Sequence, residues 1–213
     1  MFTRKTLIVV ASMAIIAALV GYALAQDQWD WVPAGGATLL VDTIKNCTNC
    51  DDIVTMLTSP KIQTGEWKAY FESKDSTRTN DQAKEQVGVG ALKGLTQRQI
   101  NTLLDYLVIN MPVDKAKLPQ DPAKIDTSVL PIEGKQLLLE FCMACHPISV
   151  QVTEDRDLDG WTMILTDSTH VQVTQANNVT DQQVQELIHY LADNMPLPID
   201  QIPPEYQQRP PGY

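Results

Sequence analysis

The chain is poor in several residue types that mark common functions. Of its 213 residues, 16 are Lys or Arg against 26 Asp or Glu, a formal net charge of −10. Backbone recognition of nucleic acid needs a basic footprint, so that class is excluded. Histidine occurs three times, which leaves little for a zinc site of four nitrogen or sulfur ligands. Cysteine occurs four times, too sparsely for a dense disulfide scaffold, and in two like-spaced pairs, Cys47/Cys50 and Cys142/Cys145. Charged residues at 20% are too few for a disordered acidic protein, whereas hydrophobic residues at 44% suffice for a core.

One long apolar run is present, at the start. Arg4 and Lys5 precede an uncharged stretch from Leu7 to Leu24; Ala23-Leu24-Ala25 and the polar Gln26-Asp27-Gln28 follow. A basic region, an apolar region and a small-x-small cleavage site in that order predict a secretory signal peptide over residues 1–25. Left uncleaved, the run is long enough to anchor the chain in a bilayer. Cleavage would remove two basic residues and no acidic one, so the exported chain is more acidic still. The expected location is the periplasm, where thiols oxidise unless something uses them.

The remainder is one unit written twice. The cysteine pairs are 95 residues apart, Trp67 and Trp161 are 94 apart, and Tyr106-Leu107 and Tyr190-Leu191 are 84 apart. Asn110-Met111-Pro112 returns as Asn194-Met195-Pro196. The first copy therefore carries about ten extra residues between its Trp and its Tyr, including Gln86-Val87-Gly88-Val89-Gly90-Ala91-Leu92.

Both copies read as helical. Ile100, Leu103, Leu104 and Leu107 form an apolar stripe of helical period, as do Val184, Leu187, Ile188 and Leu191. Each helix starts at a Thr-x-x-Gln capping box, at Thr96 and Thr180, and stops at a Met-Pro step that disfavours helix. Further stripes precede each cysteine pair: Leu40, Val41 and Ile44, then Leu137, Leu138 and Phe141. The expectation is an all-α fold of two small domains, 26–112 and 131–196. A Pro-containing linker over 113–130 joins them, and a Pro-rich tail over 197–213 is expected to be extended.

Cys142-Met143-Ala144-Cys145-His146 fits Cys-x-x-Cys-His, the attachment motif of c-type haem. Two thiols three residues apart on an incipient helix can each bond one porphyrin vinyl group, and the adjacent His146 faces the iron as proximal ligand. With these residues the chain resembles the cytochrome c family, in a duplicated two-domain form. Gly134 lies eight residues before Cys142. In similar proteins a glycine there lets the first helix cross the last, and Trp161 and Tyr190-Leu191 also match. The resemblance implies one covalent haem c and single-electron transport. It also implies a sixth ligand from the loop before the last helix, usually Met and less often His. Ser168 stands where that Met would be. His170 is the first choice, Met163 the second, and an open position the third. His189 reads as a surface histidine, and Met111 and Met195 as structural.

The first copy reads Cys47-Thr48-Asn49-Cys50-Asp51, with Asp for the proximal His. Residues 26 to 145 contain no histidine, and no Met lies between Trp67 and Met111. Gly134 has no counterpart by count, because Leu39 sits eight residues before Cys47. A degenerate haem site is expected, with Cys47 and Cys50 as a short disulfide and the extra residues filling the vacated space; a redox-active dithiol and a haem held by a single thiol are the alternatives for this pair.

The expected function is therefore an exported electron carrier, not itself an enzyme: a shuttle or the cytochrome subunit of a periplasmic oxidoreductase. Expected partners are redox proteins with a basic docking face, a dehydrogenase or a membrane complex, and Trp29 and Trp31 are candidate anchors for docking. Two alternatives stand beside it: a haem-based sensor or binder of small ligands with an open sixth position, and a structural relay subunit of a larger respiratory complex.

Overall fold

The computed structural model describes residues 28–78 and 85–208. Among them there is no β-strand; two isolated bridges join Cys47 to Ser76 and Gln86 to Thr96. The described α-helices are α1 (Gly36–Asn46), α2 (Ile53–Thr58), α3 (Thr64–Glu72), α4 (Gln97–Asn110), α5 (Gly134–Glu140), α6 (Ile148–Val152), α7 (Leu158–Leu165), α8 (Ser168–Ala176) and α9 (Asp181–Asn194). The protein is all-α.

The described residues fall into two units that divide between Pro33 and Ala34, and every one of these helices belongs to the second. In the first unit the Trp31 indole donates to the Gln28 carbonyl at 3.1 Å, and the Trp29 and Trp31 ring centroids are 6.1 Å apart. The expected signal peptide, residues 1–25, lies outside the described residues. No helix among the described residues is long and apolar enough to cross a membrane.

The long helices α4 and α9 form because their sequences agree with helix at both ends and along one face. Thr96 and Gln99 close a reciprocal capping box on α4, and Thr180 and Gln183 do the same on α9. Ile100, Leu103, Leu104 and Leu107 are buried along α4; Leu187, Ile188 and Leu191 are buried along α9. Each such side chain contributes roughly 1.5–3 kcal/mol by leaving water. Both helices end at Met-Pro steps whose peptide bonds are cis.

α1 crosses α4 at Gly36, and α5 crosses α9 at Gly134. A Cβ on Gly36 would lie 2.0 Å from the Cβ of Tyr106, and one on Gly134 would lie 2.1 Å from the Cβ of Tyr190. Gly134 therefore has a counterpart after all, and it is Gly36. α1 has 11 residues and α5 has 7, so counting back from the cysteines stops one helical turn too late, at Leu39.

α4 and α9 also pack on each other, through contacts that come in matched pairs. The Asn110 amide donates to Glu186 at 2.8 Å, and the Asn194 amide donates to Thr102 at 2.8 Å. Arg98 donates to the Asn194 carbonyl at 2.6 Å, and Gln182 donates to the Ile109 carbonyl at 3.0 Å.

The segments after α4 and α9 behave alike. The Val113 N–H donates to the Leu57 carbonyl at 3.0 Å, and the Leu197 N–H donates to the Val152 carbonyl at 2.8 Å. A 3₁₀ turn follows each, at Lys115–Lys117 and at Ile199–Gln201, after which Leu118 and Ile202 are buried. Ile125 and Leu130 join the core beneath α1 and α4. The stretch 113–130 is thus packed rather than a bare spacer. Residues 197–208 are tucked in at Leu197 and Ile202 instead of running off as an extended arm.

Candidate cofactor site

A cavity of about 600 Å³ opens between the turn that follows α5 and the helices α6, α7, α8 and α9. α7 offers Trp161, Ile164 and Leu165, spaced along one helical face; α8 offers Thr169, His170 and Val173; α9 contributes Leu191. Phe141, Cys142, Cys145 and His146 line the side between α5 and α6. Local backbone bonds set this group. Cys142 begins a 3₁₀ turn whose carbonyl accepts from the N–H of Cys145 at 3.2 Å and of His146 at 3.0 Å. The turn brings both thiols and the imidazole to one wall.

His146 and His170 meet in this cavity. Their ring centroids are 6.3 Å apart and the planes are inclined by 28°. His170 belongs to helix α8, not to a loop as the sequence led us to expect. Asp167 caps that helix, accepting from the N–H of Thr169 and of His170, both at 2.8 Å. Its other oxygen lies 3.1 Å from Nδ1 of His170. The His170 N–H, and then its imidazole, hold the Asp167 carboxyl below the usual range. Met163, the second choice for this role, is 68% exposed and does not line the cavity.

Burial, followed by the neighbouring Cys145, pushes the Cys142 thiol up to about 12. Arg156, Glu154 and Trp161 complete the lining. The Arg156 guanidinium pairs with Glu154 at 2.6 Å, while its Nε and the Trp161 indole Nε1 are buried with no hydrogen-bond partner in the protein. Sequence reasoning missed Arg156 and Glu154, which sit in the connection between α6 and α7 and belong to no motif.

The residues fit a haem of the c type. Two metal–nitrogen bonds of about 2 Å, with half an imidazole on either side, span about 6 Å, as the two rings do. The lining is largely apolar, and among its residues Arg156 and Trp161 each bury an N–H that has no partner in the protein. Two thiols stand beside His146. Among the described residues no cluster of three or more His, Cys, Asp or Glu could hold a metal ion. Haem needs two axial protein ligands at most, since the porphyrin supplies the rest.

The first repeat is built differently at the same place. Cys47 and Cys50 are joined as a disulfide, Cα atoms 5.8 Å apart, and Asp51 follows in the position of His146. Beside it Asp52 accepts from the Tyr70 hydroxyl at 2.7 Å and from Lys74 at 2.8 Å. The bond from Lys74 leads the causes that hold the Asp52 carboxyl below its usual range. Trp67 stacks on Phe71, centroids 6.1 Å apart. Where the second repeat has α8, the described residues of the first have no α-helix. Instead Ala91 and Leu92 are fully buried in the cluster holding Trp67 and Phe71. Gly90 makes that approach possible: its φ is 59°, and a Cβ there would meet the Glu72 carbonyl oxygen at 2.4 Å. Ala91 and Leu92 of the extra segment enter the interior while Val87 and Val89 are exposed, and no ligand pair comparable to His146 and His170 stands there among the described residues.

His189 is not a plain surface histidine. It is half-buried between α9 and α4, with Nδ1 2.6 Å from a carboxylate oxygen of Asp105. No family model, no curated protein and no solved structure matches this chain.

Proposed function

We propose that the protein is an exported c-type cytochrome that carries single electrons on one haem. Cys142 and Cys145 would hold the group covalently, with His146 and His170 as its axial ligands. The first repeat would be a cytochrome-like domain that has lost its cofactor. The observation that carries this reading is the meeting of His146 and His170 across a cavity lined by both thiols of a Cys-x-x-Cys-His motif.

Haem iron so held supplies a one-electron couple. The chain's own residues do the rest. Trp161, Ile164, Leu165 and Leu191 exclude water and lower the local dielectric. Arg156, at the lining, would set its positive charge beside a carboxylate edge. Two imidazoles favour a lower potential than an imidazole with a thioether, because Met raises it. The net charge of −10 favours a basic partner and an association rate that falls with salt.

The test is the protein produced in the periplasm of a host that matures c-type cytochromes. Acid-acetone extraction should leave one haem covalently bound per chain, and the ferrous spectrum should be six-coordinate and low-spin. A colourless chain, or two haems, overturns the proposal. A five-coordinate high-spin ferrous form would favour ligand binding over electron transport.

A further inference from the structure

We propose that Asp167 is the positioning residue of the distal ligand, one carboxylate oxygen capping α8 while the other holds Nδ1 of His170 so that Nε2 is left for the iron. This deepens the haem reading above and rests on it.

The geometry divides the work of one side chain between two tasks. Oδ1 accepts the N–H groups of Thr169 and His170, both at 2.8 Å, which satisfies two of the donors a helix start leaves open. Oδ2 lies 3.1 Å from Nδ1 of His170. The backbone that fixes α8 and the imidazole that faces His146 are therefore set by the same carboxylate. The neutral ring with its proton on Nδ1 is the form that donates to Asp167 and offers Nε2 as ligand. A carboxylate behind a ligating imidazole also raises its basicity, and loss of such a partner typically costs about 10–100-fold in metal affinity. More electron density on the iron favours the ferric state, so Asp167 would hold the potential down. His146 and His170 would then be unequal ligands, the second tuned by an ionised side chain.

Capping and ring-holding are separable by mutation. Asn and Ser both cap helices well, but neither supplies a carboxylate oxygen to Nδ1. In full-length holoprotein, Asp167→Asn and Asp167→Ser should keep one covalent haem, unchanged helical circular dichroism and a low-spin spectrum. Their ferric-to-ferrous ratio at fixed ambient potential should fall about 3–10-fold, the larger figure being 59 mV for one electron. The ferric electron paramagnetic resonance g-values should move with it. Unchanged potential and g-values in both variants overturn the assignment. A wild-type protein that is colourless or lacks a sixth ligand instead overturns the haem reading itself, and does so before any variant is made.

Discussion

Asp105 and His189 hold the same position in the two repeats and face each other across the α4–α9 contact, 2.6 Å apart. The pairs around them repeat the relation. Thr102 and Glu186 each receive an asparagine amide from the opposite repeat, and Arg98 and Gln182 each donate to the opposite helix end. This is the logic of a two-fold interface between like subunits, written within one chain. The matched positions diverge in chemistry where the repeats meet, so that one side carries an acid and the other a base.

That divergence makes stability fall as pH rises. Burial leads the causes that push Glu186 up to about 8, against the N–H of Gly134 and the amide of Asn110, which pull it down. Burial and then Asp105 push Asp193 up to about 7, and the bond to Asp105 raises His189. Each group binds its proton more tightly folded than unfolded. The stability it adds is complete below its ordinary value and lost as pH climbs through the raised one. The window runs from 4.5 to about 8 for Glu186 and from 3.8 to about 7 for Asp193, and lies above 6.5 for His189. Asp52, Asp126 and Asp167 are lowered and act in the other direction, losing their contribution as pH falls below 3.8. The urea midpoint should therefore be higher at pH 5 than at pH 8.5. Glu186→Gln should flatten the slope and gain on the order of 2 kcal/mol over wild type at the alkaline end. A midpoint that rises between those pH values would sink the argument.

The glycines at the two helix crossings should be intolerant of a single methyl group. Gly36→Ala and Gly134→Ala each drive a Cβ into a tyrosine Cβ at 2.0 and 2.1 Å. The helices must move apart, at a cost of about 1–3 kcal/mol or more. Gly65 lies inside α3 with nothing within 4 Å of its added Cβ. Gly65→Ala should stabilise by about 0.5–1 kcal/mol through helix propensity. Thermal melts of the three variants decide it; equal effects would mean that the crossings are looser than described.

Most of the helical frame was legible because it is written locally. Thr96 and Thr180 announce their helices through capping boxes, and Met111-Pro112 and Met195-Pro196 end them. What was not legible depends on tertiary distance or on length. Gly36 was hidden by the longer α1. α8 reads as a loop in Ser-Thr-His-Val, yet Asp167 supplies the cap that lets it start, and that Asp-Ser-Thr signal was available. Asp105 with His189 could not be paired from one sequence, since nothing local brings residues 84 apart into contact. The proline-rich tail misled because two apolar residues, Leu197 and Ile202, hold it down.

The first repeat should depend on its extra segment as a core element. Leu92 is fully buried beside Trp67 and Phe71. Leu92→Ala should cost about 2–5 kcal/mol, the range for a truncated core leucine. Replacing Cys47 and Cys50 together by serine removes a very short loop and should cost about 2 kcal/mol or less. Neither change touches the second repeat's cavity, so haem content per chain should stay at wild-type level. If Leu92→Ala leaves the denaturation midpoint unchanged, the segment does not fill the interior.

The two candidate distal ligands part company in a single pair of variants. His170 faces His146 at 6.3 Å between ring centroids, whereas Met163 is 68% exposed. His170→Ala should leave the covalent haem in place, because Cys142 and Cys145 hold it, but should turn the ferrous spectrum five-coordinate and high-spin. Added imidazole should restore the low-spin bands, since the shortened side chain leaves room where the ring stood. His170→Met should keep six ligands if the thioether reaches, and should raise the potential because thioether sulfur favours ferrous iron. Met163→Ala should change neither spectrum nor potential. Loss of the low-spin spectrum in Met163→Ala with its retention in His170→Ala would reverse the assignment, and would require α7 to turn its exposed face inward.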